Sequence, residues 1–320
     1  MNKKLKAAAA VFLTAAALTV TACSSNTAAS KPTVDKVNMT YVDSPLNVPS
    51  ILEKEKGMFK EAYEKQGVGF EYSDIASGSE QTAAMASGDV QILNAVGGSS
   101  VILAAANDAD IVILSMYSKA PEAFVMFSND ESLNSAESLK GKTIAGPKGT
   151  NLHELIAAYM KKAGMSMEDV NFVNMDIPSA VAALESGSID VALVGGTAAY
   201  NLEKAGKHKI ADGKDLIAAT IVTATSKKFA EENPQLVQTF LDTQKKIMEQ
   251  IESDPDAALA QTAKALDLDQ QAVEDMYKLY DFSTEITDQD IELIQSTEQF
   301  LYDAGMIENH VDVSKLIYKK

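Results

Sequence analysis

Two stretches of this chain read as copies of one another. They are Ser87-Gly88-Asp89-Val90-Gln91-Ile92-Leu93-Asn94-Ala95-Val96-Gly97-Gly98-Ser99 and, about 100 residues on, Ser186-Gly187-Ser188-Ile189-Asp190-Val191-Ala192-Leu193-Val194-Gly195-Gly196-Thr197. A one-residue gap aligns them. Each reads as a helix end, a Ser-Gly turn, a short buried strand, a Val-Gly-Gly elbow, and then Ser or Thr ahead of another helix. Repetition at this distance predicts two similar lobes.

Outward from the two elbows, strand and helix alternate. Strands are predicted over Val37–Val42, Gly69–Ile75, Val90–Val96, Ile111–Met116, Phe124–Phe127, Thr143–Ala145, Val170–Asn174 and Ile189–Val194. Helices are predicted over Pro49–Tyr63, Gln81–Ala86, Ser99–Ala106, Asn151–Ala163 and Ser179–Ser186. Such alternation belongs to a mostly parallel sheet covered by helices. After about Thr220 the character changes. Phe229 to Gly305 is almost entirely helix-forming, interrupted at Pro234, Pro255 and around Ser283. The fold class is therefore α/β with two doubly wound lobes.

In a parallel sheet a ligand sits outside the carboxyl ends of the strands. Val96 and Val194 are such ends. The glycines after them let a ligand approach the backbone, and Ser99 and Thr197 are placed to cap the helices that follow. Free N–H groups at those helix starts favour anions or polar oxygens. The elbows are either two halves of a cleft or two ordinary turns. Three further loops share their character: Ser44-Pro45-Leu46-Asn47, Ser77-Gly78-Ser79 and Pro147-Lys148-Gly149-Thr150-Asn151. The last holds a lysine that is either solvated or near a cleft, and it lacks the order of a phosphate-binding P-loop. His153, early in the next helix, is a candidate ligand contact. His208 and His310 read as surface residues.

Composition narrows the chemistry. The 320 residues carry 28 Lys+Arg, every one a lysine, against 45 Asp+Glu, for a net charge of −17, and tryptophan is absent. Any anion site must therefore use lysine, hydroxyls, amides or backbone N–H groups rather than the guanidinium fork. So acidic a surface repels nucleic acid and argues against charge-based attachment to an anionic membrane. The three histidines show no metal-ligand spacing, and neither a metal nor a cofactor is expected. There is no G-x-S-x-G nucleophile elbow, and the chain is not expected to be an enzyme.

Residues 1–22 have the form of a signal peptide: Lys3, Lys4 and Lys6 precede an uncharged run from Ala7 to Val20, too short to span a bilayer comfortably. Val20-Thr21-Ala22-Cys23 resembles the bacterial lipobox, and Cys23 is the only cysteine, so it is expected to carry the lipid rather than a disulfide. Residues 23–35 then read as a polar tether. The expected location is the extracytoplasmic face of the cell membrane.

The body resembles the taurine, aliphatic-sulfonate and nitrate group of periplasmic solute-binding proteins. The likeness rests on Ala86-Ser87-Gly88-Asp89-Val90-Gln91-Ile92 with Gly97-Gly98-Ser99-Ser100. It continues through Ser118-Lys119, Glu122-Ala123, Ser138-Leu139-Lys140-Gly141-Lys142, Thr150-Asn151-Leu152-His153, Lys227-Lys228-Phe229-Ala230-Glu231-Glu232-Asn233-Pro234, and Gln299-Phe300-Leu301 with Gly305. The resemblance implies a type II periplasmic-binding-protein fold. Lobe one would be 36–117 plus 221–320 and lobe two 118–220, with a hinge of two crossovers near Tyr117 and Thr220. It implies a monomer that binds a small-molecule ligand and delivers it to the permease and ATPase subunits of an importer. Carried over by position, the ligand contacts are Asn47, Gly78, Ser79, Gly98, Ser99, Ser100, Asn151, His153 and Thr197. Many members have an aromatic and an acidic residue where Gly195-Gly196-Thr197 stands. The ligand is expected to be a small organic anion of the sulfonate, taurine or nitrate type, and otherwise an uncharged or aromatic solute. A sensory subunit without transport is the remaining alternative.

Overall fold

A computed structural model describes residues 32–43 and 46–319; the signal segment, Cys23, most of the tether, Ser44 and Pro45 lie outside the described residues. The chain runs β1 (Lys36–Tyr41), α1 (Val48–Lys56), α2 (Met58–Glu64), β2 (Gly69–Asp74), α3 (Gly78–Ser87), β3 (Ile92–Gly97), α4 (Gly98–Ala106) and β4 (Val112–Lys119). A second series follows: β5 (Phe124–Ser128), β6 (Thr143–Gly146), α5 (Asn151–Lys162), β7 (Asn171–Asn174), α6 (Ile177–Glu185), β8 (Val191–Gly195), α7 (Gly196–Lys204) and β9 (His208–Asp212). The chain then returns through β10 (Thr220–Thr225) to α8 (Lys227–Glu232), α9 (Pro234–Ser253), α10 (Pro255–Leu266), α11 (Gln270–Tyr277) and α12 (Asp288–Asp303).

The two sheets have one plan. The first is ordered β2-β1-β3-β10-β4 and the second β7-β6-β8-β5-β9. In each, one strand runs against its neighbours: β10 is antiparallel to β3 and β4, and β5 to β8 and β9. The repeated stretches occupy matching places, β3 with α4 and β8 with α7. Gly88 and Gly187, at the Ser-Gly turns, take φ of 87° and 73°, the left-handed conformation that ends a helix and that glycine adopts without strain.

Successive strand residues point to opposite faces, so each sheet feeds two cores. Ile92 packs with Phe59, Tyr63 and Phe240, while Leu93 packs with Ile102, Ile294 and Leu301. In the second sheet Val191 and Leu193 join Ile144 and Leu155, and Ala192 and Val194 join Ala180 and Leu184. Both faces of β3 and β8 are therefore apolar, as strands covered on each side by helices require.

The strand pairings show where the chain crosses. Lys119 is still paired with Thr220 in the first sheet, and Phe124 is paired with Gly195 in the second. Ser118 and Lys119 thus extend β4 beyond Tyr117. The two crossings touch, because the Gly213 N–H donates to Pro121 O at 3.1 Å and to Phe124 O at 3.0 Å. The end of β4 is anchored: Lys119 Nζ lies 2.7 Å from Asp290 Oδ1 and 3.2 Å from Asp281 Oδ2.

Two sequence expectations change. The helix expected over Pro49–Tyr63 is two helices, because Gly57 takes φ 64° and caps α1. The region after β8 holds α7, β9 and β10 before the C-terminal helices begin. Among the described residues no helix is long and apolar enough to cross a membrane.

Candidate interlobe site

β3 ends at Gly97 and α4 starts at once, with Gly98 and Ser99 as its first two residues. β8 and α7 repeat this with Gly196 and Thr197. The helix caps are therefore Gly97 and Gly195, in extended conformation and without a side-chain hydrogen bond. Ser99 and Thr197 do not cap, contrary to the sequence expectation, because each cap falls two residues earlier than expected. The Ser99 hydroxyl is left with other work to do.

The elbow is tightly built. A Cβ at Gly98 would lie 2.5 Å from Thr220 Oγ1, and one at Gly78 would overlap the Ser100 hydroxyl. The start of α4 thus meets the start of α3 on one side and the hinge strand β10 on the other. Gly97, Ile221 and Ser118 lie on one row across β3, β10 and β4. In lobe two the loop before α5 reaches over: a Cβ at Gly149 would lie 3.1 Å from Leu103 of α4.

The chemical signature of this region is a set of buried oxygens with no partner. Ser99 Oγ on α4, Ser118 Oγ and Thr220 Oγ1 on the first sheet, and Asn151 Oδ1 and Glu154 Oε2 on α5 make no hydrogen bond; Glu53 Oε1, Gln235 Nε2 and Tyr280 Oη elsewhere share that state. The first five residues are at most 5% exposed. An orphaned buried polar atom costs about 1–3 kcal/mol, and native interiors keep such atoms rare. Thr220 lies against Gly98 at the start of α4, Ser118 sits beside it where β4 and β10 pair, and Asn151 and Glu154 lie in the first turn of α5.

Glu154 also joins the lobes. Thr297 Oγ1 of α12 donates to its Oε1 at 3.1 Å, and two turns further along α5 Lys161 pairs with Asp303 at 2.7 Å. Burial pushes the Glu154 carboxyl up to about 7, against the opposing pull of the Thr297 hydrogen bond.

His153 is occupied differently. Its Nδ1 accepts from the Gly149 N–H at 3.2 Å, and its ring stacks on Phe172 with centroids 4.4 Å apart. Burial, with the nearby Lys148 charge, lowers it to about 4. The ring is therefore neutral with its proton on Nε2. It lines a groove of about 1270 Å³ between α5 and the end of α12, which Leu103, Lys148, Phe172, Phe300 and Met306 also border.

The remaining sequence-named residues are placed as follows. Asn47 Nδ2 donates to Val42 O at 2.9 Å, so its amide ties its own loop. Ser79 is exposed and shares a hydroxyl contact with Ser77 at 2.9 Å. Ser100 is buried beside Gly78. Thr197 is half-buried. The structure thus gathers Gly78, Gly98, Ser99 and Ser100 around α4, and brings the loop before Asn151 against that helix. Sequence reasoning missed Glu154 and Thr297, took Ser118 only as part of the family likeness, and read Thr220 only as a hinge position. Among the described residues no group of three His, Cys, Asp or Glu side chains could hold a metal ion.

Comparison with known proteins agrees with this architecture. The family model described as NMT1/THI5 like matches residues 45–258. A Bacillus subtilis (strain 168) protein named for aliphatic sulfonate binding is 27% identical over 274 residues, covering 84% of this chain and 82% of that protein. The taurine-binding periplasmic protein of Escherichia coli (strain K12) is 32% identical over 203 residues, 62% of each chain. The alkanesulfonate-binding protein of Xanthomonas axonopodis pv. citri, solved bound to MOPS, superposes with a TM-score of 0.82 at 20% identity, covering 91% of this chain and all of that one. That likeness shows the fold, which is that of the periplasmic binding proteins.

Proposed function

The chain belongs to the NMT1/THI5-like family, and from that premise we propose that it is the solute-binding lipoprotein of an ATP-driven importer, holding a small organic anion between its lobes. The observation that carries this reading is the set of unpaired buried oxygens at Ser99, Ser118, Thr220 and Asn151, drawn from both lobes. A ligand that satisfies them gains affinity and also pulls the lobes together, since it binds the closed form better than the open one. Hydroxyl donors and the N–H groups at the start of α4, which has no side-chain cap, suit the oxygens of a sulfonate-like head, and they suit a chain without arginine. The names of the relatives point the same way.

The role outside the membrane rests on the signal-like first 22 residues, and attachment on Cys23, the only cysteine. An importer's permease and ATPase would be the partners of a monomeric receptor. We read the body as a binder rather than an enzyme, because the unpaired groups offer hydrogen bonds and no nucleophile–base pair.

An uncharged or aromatic solute is the second reading. It is favoured by Gly195-Gly196-Thr197, where an aromatic and an acidic side chain are expected of the family. A thermal-shift and calorimetry panel separates the two. The panel holds ethanesulfonate, taurine, nitrate, bicarbonate and pyrimidines. A ligand at about 100 times its Kd adds about 2.7 kcal/mol of stability. A response to sulfonates supports the anion reading. A response confined to pyrimidines replaces it, and silence from every anion refutes it.

A further inference from the structure

We propose that Glu154 reads the ligand as a neutral acid: gripped on Oε1 by Thr297 of the opposite lobe, it carries its proton on the unpaired Oε2 and donates it to an oxygen of the bound anion, so that binding takes up one proton from solution. This rests on the anion reading above and adds to it a residue and a coupled proton.

The geometry leaves the carboxyl few alternatives. Glu154 is 5% exposed. Oε1 is used by Thr297, and Oε2 is buried with no partner. A buried carboxylate needs a cation or several donors, and neither is supplied. Lys161 on the same helix is committed to Asp303, and Lys148 is exposed on the loop. His153, the adjacent residue, is neutral for the reasons given above. The elements packed on α5 add no positive charge: β5 and β8 contain no ionisable residue, the turn at Met167–Asp169 brings Glu168 and Asp169, and α12 brings Glu298 and Asp303. Burial accordingly favours the protonated form, at about 7.

Protonation changes what the side chain can do. An ionised Glu154 would only accept hydrogen bonds and would repel an anion, whereas the acid is a donor. Asn151, one turn earlier on the same helix, presents the other unpaired lobe-two oxygen. Thr297, which holds Oε1, lies on α12 of the opposite lobe, so parting of the lobes would open Glu154 to water and return it toward the ordinary glutamate value of 4.5.

The sign follows from those two states. The closed, bound form holds the proton more tightly, so affinity is greatest at low pH and falls as pH rises. The fall is about tenfold per pH unit between about 5 and 7, then levels off.

The test uses the full chain and ethanesulfonate, whose charge is constant over this range. Calorimetry at pH 5.5, 6.5 and 8, in pairs of buffers with different ionisation heats, reads affinity and proton uptake together. The wild type is expected to take up close to one proton at pH 6.5 and to weaken by roughly tenfold from pH 5.5 to 6.5. Glu154→Gln keeps a donor and should bind with a flat pH profile near the wild-type value at pH 5.5. Glu154→Ala should bind more weakly at every pH. Binding without proton uptake, or a Glu154→Gln variant that keeps the wild-type pH slope, overturns the proposal and leaves the anion reading standing. Taurine affinity that rises with pH also overturns it, since Glu154 would then be an ionised partner for an ammonium group. No heat from any sulfonate sinks the anion reading and this proposal together.

Discussion

Thr220→Val separates a hydroxyl kept for a ligand from one kept for the fold. Thr220 opens β10, is 1% exposed, and has no partner for Oγ1. Valine has nearly the same shape, so the substitution changes polarity and little else. If the hydroxyl is an orphan in the ligand-free protein, its removal lifts a penalty of about 1–3 kcal/mol. At roughly 2 °C per kcal/mol for a chain of this size, the ligand-free Tm should rise by roughly 2–6 °C. Binding should move the other way. A hydrogen bond to a charged group is worth about 1.5–3 kcal/mol, so affinity for the bound anion should fall about 10- to 150-fold. Differential scanning calorimetry without ligand and titration calorimetry with it measure the two halves. The opposed signs carry the argument, because sites kept for function are commonly less stable than their apolar replacements. A lower Tm in the ligand-free variant would refute the reasoning, since the hydroxyl would then already be satisfied. A raised Tm with unchanged affinity would show an orphan that no ligand uses.

Three further expectations follow from the same region. Gly98→Ala places a Cβ 2.5 Å from Thr220 Oγ1 and 3.4 Å from Thr220 O, so it should cost about 1–3 kcal/mol of stability; a double-mutant cycle with Thr220→Ala should recover at least about 1 kcal/mol of that. Lys119→Met leaves Asp290, itself 1% exposed, without its cation, and chemical denaturation should show a loss of about 2–3 kcal/mol. Glu53 is buried with its Oε1 unpaired, and burial pushes it up to about 8, past the lowering effect of the Tyr72 hydrogen bond. Its folded pKa lies above the unfolded value of 4.5. Its contribution is therefore complete in acid and is lost as pH climbs from about 5 to 8. Glu53→Gln should flatten that loss, by up to about 4 kcal/mol at pH 8, as read from urea unfolding across the range.

Fold and site were legible to different degrees, for physical reasons. Gly88 and Gly187 announce helix ends because their left-handed φ is a local requirement. The apolar runs behind them announce strands covered on both faces, and their repetition announces two lobes. β10 was hidden for an equally physical reason. Thr220–Thr225 reads Thr-Ile-Val-Thr-Ala-Thr, without the strict alternation that marks a strand, and lies where the helix-forming C-terminal part begins. It is instead a central strand that returns from the other lobe and pairs with β3 and β4, a long-range outcome that local pattern does not carry. The capping residues slipped by two for a smaller reason. Glycine at Gly97 and Gly195 is content in the extended conformation that ends each strand, so each helix starts before its hydroxyl residue.

The site residues that sequence reasoning missed share one property, which is that their environment is supplied by chain far away. Periodicity assigns a helix one covered face and one wet face, and on that rule Glu154 belongs in water. In the folded chain Asn151, Leu152, His153, Glu154, Leu155, Ile156 and Ala157 are all buried. The lobe-two core covers one side of α5, and α12, some 140 residues later in sequence, covers another through Thr297. A glutamate can occupy such a position only if it gives up its charge or finds a partner. The contact that conceals it from pattern reading is also the one that makes it chemically distinct. Ser118 and Thr220 are likewise placed by distant chain, since β4 and β10 pair across about 100 residues and Thr220 lies against Gly98 at the start of α4. What the sequence does announce is the backbone that makes this meeting possible. Gly98 and Gly78 admit Thr220 and Ser100 where a Cβ would not fit, so the glycines could be read directly, and the oxygens they admit could be found only in the folded chain.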